Sequence, residues 1–486
     1  MRELSVAISE GINRQLLAHL LRGDGQEDLA FALWTPSDGA HRRTAIVNAV
    51  VLPQEGDHQV HGNASFNADY VERVLKLAME RRSGVAFLHS HLTDGWQHMS
   101  NPDIVAEQEL AGPVAAMSAL PLVGMTVGTD GTWSARIWER SGPKQYQRNW
   151  CRSVRTVGEQ LHVSFAPELA PIPRTSEMLR RTINVWGEEN HTRLQRLRIG
   201  IVGLGSVGSI VAEQLARIGM TRFVLIDFDE VQLHNLDRLM TATRDDVGHL
   251  KVDVAERRIR RVATADDVDV SAIAYSIAEE PGYRAALDCD VLFSCVDRPR
   301  ARSILNHLAY AHLIPVIDGG ISVRFKPVRF KPARFTGADW QAQTVAPGRP
   351  CLQCLGAFDI GDAETERAGM LDDPSYMSGL PVDHHLKQNE NVFPFSASLA
   401  SMEVLQFVAL TTGLAGWPNL GVQRYRSIPG MMERLPDQHC RDDCPTPTLI
   451  GEGDRHFSLF SRDPTAEAAR DRQNEGAGQR GDDSEA

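Results

Sequence analysis

The chain has 486 residues, enough for about two or three domains, and its 42% hydrophobic content lets each bury a core. Its formal net charge of −12 excludes a general binder of nucleic acid or anionic membrane, which needs a basic surface. Seven cysteines are too sparse for a disulfide scaffold, no apolar run reaches bilayer length, and Met1-Arg2-Glu3-Leu4 lacks a signal-peptide core, so the expected compartment is the cytoplasm.

Leu29–Trp34 and Thr44–Leu52 read as short apolar strands. Asn67 is placed to cap a helix in which Tyr70, Val71, Val74, Leu75 and Ala78 recur at helical spacing. Gly84–Leu88 reads as a buried strand running into His89. Asn101–Ala111 reads as a helix with Pro102 in its first turn. Strands follow around Leu122–Val127 and Thr132–Trp138. Residues 1–140 therefore form an α+β domain. Residues 141–175, with Pro167, Pro171 and Pro173, read as a connector. From 176 to 450 strands and helices alternate. Arg198–Val202, Arg222–Asp227, Asp290–Cys295 and Ile314–Asp318 are strands, and Ser206–Ile218 is a helix. That alternation predicts an α/β, mainly parallel, doubly wound sheet. Residues 451–486 form a polar tail too poor in apolar residues to order itself.

Two histidines at i and i+2 at a strand end point to one side, so His89 and His91 can reach one metal ion. Asp103 supplies a third ligand, which leaves a fourth position for water, the catalytic arrangement for zinc. Glu27 is a candidate general base, and Ser100 can donate to an oxyanion. A lone H-x-H is mostly structural; here Ser100 and Asp103 follow it and an acidic residue precedes the first strand. Glu27, His89-x-His91 and Ser100-x-x-Asp103 resemble the JAMM motif of JAB/MPN metalloproteases, which cut peptide or isopeptide bonds at the C-termini of ubiquitin-like proteins. The resemblance covers residues 1–140. It implies zinc on His89, His91 and Asp103, Glu27 as base and Ser100 at the oxyanion. Leu92 stands where that family usually has proline, and the loop before Ser100, with Trp96 and His98, is one residue longer.

The second site begins at Gly203-Leu204-Gly205-Ser206-Val207-Gly208, a G-x-G-x-x-G turn between a strand and a helix. Such a turn brings backbone amides to a phosphate but is weak alone. Asp227 ends the next strand, where an acidic residue holds ribose hydroxyls. Asp229, Asn235, Arg238 and Lys251 follow. An Arg and a Lys placed for a triphosphate suit attack on an α-phosphate and not hydride transfer. Asp297 is positioned to hold magnesium. As solvated surface charges, Arg238 and Lys251 would mean nothing singly. Together these segments are similar to the ThiF/molybdopterin-synthase adenylyltransferase superfamily, which includes the ubiquitin-activating enzymes, over residues 176–450. The resemblance implies ATP on Gly203, Gly205, Gly208 and Asp227, phosphate contacts from Asn235, Arg238 and Lys251, and magnesium at Asp297. It also implies an arginine from a partner subunit, for which Arg181 is the candidate, and hence a homodimer. Ser206 stands where the family commonly has glycine.

Cys351-x-x-Cys354 and Cys440-x-x-x-Cys444 supply four thiolates for a closed structural zinc site. His384-His385 reads as part of a solvated crossover loop. No cysteine lies between Cys354 and Cys440 to receive a thioester. Cys151 falls in the connector, and Cys289 and Cys295 read as core.

The expected protein is a bifunctional enzyme of a bacterial-type ubiquitin-like system. One part adenylates the C-terminal Gly of a ubiquitin-like or sulfur-carrier β-grasp protein, using ATP and Mg2+. The other trims or deconjugates at that terminus with a catalytic Zn2+. A conjugating enzyme or a sulfurtransferase is the expected further partner; nucleic acid and membrane are not. The alternatives are that one domain is a non-catalytic binding module, or that the chain is a nicotinamide-dependent oxidoreductase.

Overall fold

The computed structural model describes residues 2–61, 63–174, 176–328, 331–379, 391–413, 416–435, 439–455 and 460–482. His384 and His385 lie outside the described residues. The chain divides into two compact units. The first is Met1–Ile172 with Tyr310–Leu313 and Pro445–Phe457, and the second is the remainder.

The first unit is built on a nine-stranded sheet. Its strands are β1 (Glu3–Ser9), β2 (Leu29–Asp38), β3 (Arg42–Val51), β6 (Gly84–Ser90), β7 (Leu122–Val127), β8 (Trp133–Gly142), β9 (Gln145–Trp150), β10 (Ser153–Val157) and β11 (Leu161–Phe165). A separate hairpin joins β4 (His58–His61) to β5 (Asn63–Phe66). The order across the sheet is β11-β10-β1-β3-β2-β6-β7-β8-β9. Among the described residues, α1 (Glu10–Leu20), α2 (Ala68–Glu80) and α3 (Asn101–Ser118) accompany it.

Both sheet faces are covered, which is why β6 is buried at every residue and reads as an apolar run and not as an alternation. One face packs Val6, Ile8, Trp34, Val123 and Ile137 with Leu16 and Leu20 of α1. The other packs Phe31, Leu33 and Phe87 with Tyr70 and Val74 of α2 and Leu110 and Val114 of α3. Asn67 caps α2 by accepting from Tyr70 N at 2.9 Å, as its position in the sequence predicts.

The expected connector is not one. Residues 145–165 contain β9, β10 and β11, and β10 lies parallel to β1 inside the sheet. The three prolines all follow β11. The unit also takes in a late return of the chain, where Gly451 O accepts from Thr35 Oγ1 at 2.8 Å and from Asn48 Nδ2 at 3.1 Å.

A buried ion pair ties α3 to the sheet. Arg136 Nε donates to Glu107 Oε2 at 3.0 Å, and Trp138 Nε1 to the same oxygen at 2.6 Å. Gly124 makes the room, since a Cβ there would strike the Glu107 carboxylate. Glu107→Ala strands the Arg136 guanidinium in the interior. The expected loss is about 3–5 kcal/mol of folding stability, measured by urea denaturation.

The second unit has an eight-stranded sheet of order β14-β13-β12-β15-β16-β17-β18-β19. These strands are β12 (Arg198–Val202), β13 (Arg222–Ile226), β14 (Asp269–Ile273), β15 (Val291–Ser294), β16 (Val316–Val328), β17 (Lys331–Val345), β18 (Val422–Arg426) and β19 (Met431–Leu435). The helices are α4 (Arg180–Trp186), α5 (Glu188–Arg196), α6 (Gly208–Arg217), α7 (Lys251–Val262), α8 (Glu280–Leu287), α9 (Pro299–Ala311), α10 (Ile360–Arg367), α11 (Pro374–Gly379), α12 (Phe393–Thr412) and α13 (Pro464–Asp482). The strands from β14 to β16 are parallel, as the alternation predicts. β16 to β19 then pair antiparallel, so the sheet is mixed.

Two sequence expectations change here. α12 is long and apolar enough to cross a bilayer by composition, although no such run is evident from the sequence read alone. Its Leu399 and Met402 pack on Val323, Trp340 and Ala342 of the sheet, and its Phe407 meets Phe293, so its apolarity serves a core. The segment after 451, expected to lack order, contains α13. Ala466 and Ala469 of that helix are buried, and Arg470 pairs with Glu279. Paired charge and small side chains dock it where bulk apolarity is lacking.

Candidate functional site

In the second unit the strand order reverses between β12 and β15, and such a switch point opens a crevice at the carboxyl ends of the strands. The glycine turn stands there. Gly203 has φ +86°, and a Cβ on it would lie 2.5 Å from Cys295 O. A Cβ on Gly208, the first residue of α6, would lie 1.9 Å from Gly203 O. A Cβ on Gly205 would meet nothing within 4 Å, which leaves open space over the turn. Gly208→Ala therefore cannot keep this turn. The expected result is a loss of about 1–3 kcal/mol in stability, measured by denaturant titration, together with lost nucleotide binding.

Asp227 follows β13. Its Oδ2 accepts from Leu204 N at 2.6 Å and its Oδ1 from Asp229 N at 2.8 Å, so it braces the glycine turn from the neighbouring strand. Burial pushes its carboxyl above the usual range, and Lys251 acts against that. Lys251 begins α7 and is held by its own backbone, N to Asp229 O at 2.9 Å. Its Nζ donates to Asp229 Oδ2 at 2.7 Å. Burial disfavours its charge, but Asp227, Asp229 and Asp297 outweigh burial and raise its pKa. Asp297, past β15, is exposed. Thus Asp227, Asp229, Lys251 and Asp297 share one electrostatic neighbourhood beside the glycine turn.

Asn235 and Arg238, also predicted for the site, make local contacts. Asn235 Oδ1 accepts from Gln232 N at 3.1 Å, and Arg238 Nη1 donates to His234 O at 2.7 Å and to Asp237 Oδ1 at 2.8 Å. Arg181, on α4, is exposed, and its side chain makes no ion pair or hydrogen bond among the described residues. Sequence reading missed Asn391. Its Nδ2 donates to Ser206 Oγ at 2.8 Å, while its buried Oδ1 has no partner among the described residues. Nothing in its local sequence marks it.

The four paired cysteines also converge. Cys351 Sγ and Cys444 Sγ are 3.7 Å apart, and all four sulfurs lie within 4.8 Å of one another. Zinc–sulfur bonds of about 2.3 Å around a tetrahedron put sulfurs about 3.8 Å apart, so the set fits that ion. Cys351 N donates to Cys440 Sγ at 3.3 Å and Arg441 N to Cys354 Sγ at 3.4 Å, the kind of backbone support that orients metal thiolates. Burial pushes the Cys354 and Cys440 thiols up. Cys151 and Cys289 are buried, as expected for Cys289; the Cys295 thiol lies 3.7 Å from Glu403 Oε2.

A model of the ThiF family matches residues 179–446, more than half of the chain. The chain belongs to the ThiF family. Sulfur carrier protein ThiS adenylyltransferase of Bacillus subtilis (strain 168) is 31% identical to it over 189 residues, 38% of this chain and 52% of that protein. Ubiquitin-like modifier-activating enzyme 5 of Drosophila mojavensis is 28% identical over 228 residues, 44% of this chain and 53% of the relative. The SAMP-activating enzyme E1 of Haloferax volcanii is 29% identical over 169 residues, 35% of this chain and 57% of the relative. The chain spans about half the length of these curated relatives. Among solved structures, E. coli MccB with ATP covers 56% of this chain and 74% of its own, at 17% identity and a TM-score of 0.41. The ThiF match takes in the glycine turn, Asp227, Lys251, Asp297 and all four paired cysteines, and it does not reach His89, His91 or Asp103.

Outside the ThiF match, the first unit gathers its own cluster. His89 is the penultimate residue of β6 and His91 follows directly after the strand, so alternation along the extended chain aims both rings one way. Their Nε2 atoms are 3.2 Å apart. His91 Nε2 is 3.3 Å from Asp103 Oδ2, and His89 Nε2 is 3.5 Å from Asp103 Oδ1. Zinc bonds of about 2.0–2.1 Å around a tetrahedron separate ligand atoms by about 3.3 Å, so the three residues fit that ion as well. Ser100 caps α3, with Asp103 N donating to Ser100 Oγ at 3.3 Å and Ser100 N to Asp103 Oδ2 at 2.7 Å. The cap fixes Asp103.

Burial raises Asp103, but hydrogen bonds from His89, His91 and Ser100 outweigh it and hold the carboxyl well below the usual range. The Asp103 hydrogen bond raises His91. Glu27, half-buried ahead of β2, is pushed up by burial, against the charges of His91 and His89, which pull it down. Thr126 was missed: its Oγ1 is 3.3 Å from His89 Nε2, and it also accepts from Arg136 Nη1 at 2.6 Å. A Thr inside an apolar strand carries no signal of its own.

Proposed function

We propose that this chain activates the C-terminal Gly of a small ubiquitin-like or sulfur-carrier β-grasp protein by adenylation, and that its first unit cuts a peptide or isopeptide bond at that same terminus. The observation that carries the first half is Lys251, whose ammonium donates to Asp229 and is held charged by Asp227, Asp229 and Asp297. Relatives named for activating ThiS, a ubiquitin-like modifier and SAMP support it. The reaction is attack of a carboxylate on the α-phosphate of ATP, with pyrophosphate leaving. Asp227 holds the ribose, and backbone amides at Gly205 and Gly208 meet the phosphates, while Gly203 N stays on Ile226 O at 2.9 Å and shapes the turn. Lys251 and Arg238, with Asn235, offset the charge that grows on the leaving oxygens. Arg181 of a second copy adds to them. Asp297 and Asp229 are the residues to hold magnesium, which screens phosphate charge when bound. The four cysteines hold a structural zinc.

In the first unit His89, His91 and Asp103 are the residues to hold zinc, which when bound supplies a Lewis acid and water of lowered pKa. Glu27 takes the proton of the attacking water and returns it to the leaving nitrogen. The Ser100 hydroxyl donates to the carbonyl oxygen as it gains charge. The test is a β-grasp protein extended past its C-terminal Gly, incubated with the whole chain. Mass spectrometry should show trimming to Gly, and trimming should vanish in His91→Ala while ATP-dependent pyrophosphate release from the trimmed protein persists. An extended protein left intact would reject the protease; NADH binding, read by fluorescence, would favour the oxidoreductase.

A further inference from the structure

The segment 460–473 touches two of the four strand-to-helix loops at the carboxyl end of the parallel strands, and the first turn of the helix that follows a third. At the loop after β13, Gln473 Nε2 donates to Phe228 O at 3.2 Å, between Asp227 and Asp229. At the loop after β14, Ser461 N donates to Ala278 O at 2.8 Å, and Arg470 Nη1 donates to Glu279 Oε2 at 2.9 Å. In the first turn of α9, which follows β15, Arg300 Nη2 donates to Ser461 Oγ at 2.6 Å.

The path of a nucleotide through this crevice follows from the fold. Phosphates sit at the glycine turn after β12, and the ribose lies at Asp227 after β13. Continued in the same direction, the base arrives at the loop after β14, which carries Tyr275. The Arg470 guanidinium lies 4.6 Å from the centroid of the Tyr275 ring, and the same guanidinium is fixed by Glu279, which is itself buried. Tyr275 remains 37% exposed, so its ring keeps area against which a planar base can stack.

We infer that the segment 460–473 is the base-side wall of the nucleotide site, with Arg470 and Gln473 setting the Tyr275 loop and the Phe228 turn for a purine nucleotide. This rests on the reading of the crevice as an ATP site. The segment acts on the base end of the ligand and leaves the phosphate end to Lys251 and the glycine turn.

The experiment is calorimetric titration of the whole chain, of Arg470→Ala, of Glu279→Gln and of a chain ending at residue 459. The probes are ATP and inorganic tripolyphosphate. Arg470→Ala and the shortened chain should lose about tenfold or more in ATP affinity while tripolyphosphate binding stays within about twofold. Glu279→Gln, which keeps shape but loosens the guanidinium, should fall in the same direction. ATP affinity that is unchanged or improved, or ATP and tripolyphosphate affinities that fall together, would overturn the inference. Failure of the unaltered chain to bind either probe would instead reject the nucleotide site itself.

Discussion

Lys251→Ala should slow ATP-dependent adenylation by about 10²–10³-fold, the range found when one preorganised donor is removed from a developing anion. The substitution removes the cation whose charge Asp227, Asp229 and Asp297 share, where a triphosphate must also fit. Charge repulsion then acts on both the ground state and the transition state, so KM for ATP rises as kcat falls. The fold should survive, because Lys251 holds the first turn of α7 through its backbone N on Asp229 O and not through its ammonium. Pyrophosphate release and thermal unfolding on the same sample separate the two effects. Release at the unaltered rate would remove Lys251 from the site.

Glu27→Gln should reduce cleavage at the carrier C-terminus by about 10²–10⁴-fold, the share a positioned general base supplies. Gln has the same shape but cannot take a proton. His89, His91 and Asp103 remain, so zinc content should be unchanged. His91→Ala should lose both zinc and cleavage. Atomic emission on the two variants distinguishes a base from a ligand, provided the cysteine-bound ion is counted separately through Cys351→Ser. Full cleavage by Glu27→Gln would assign the proton transfer elsewhere.

How far this was legible in the sequence depended on how local each determinant is. His89 and His91 are read from strand alternation, and the Asn67 cap and the Gly203–Gly208 turn from short spacings that local sterics enforce. The parallel strands β12 to β15 follow from the alternation of apolar runs with helical periods. What failed was long-range. β10 carries Arg155, fully buried, so Ser153–Val157 does not look like an interior strand until its pairing with β1 is seen. α13 has no apolar face to announce it, and it docks through Arg470 on Glu279 far away in the chain. Thr126 and Asn391 enter their sites through partners that only the tertiary structure brings near. The Glu107–Arg136 pair is invisible for the same reason: charged residues in sequence read as surface, and burial turns them into the tie between α3 and the sheet.

ATP–pyrophosphate exchange tests the central claim most directly, run on the whole chain with a panel of small β-grasp proteins, each with and without its C-terminal Gly. The account predicts exchange with a Gly-ending member, none once that Gly is removed, and loss of exchange in Asp227→Ala. Exchange indifferent to the carrier's last residue, or no exchange with any member of the panel, would contradict it.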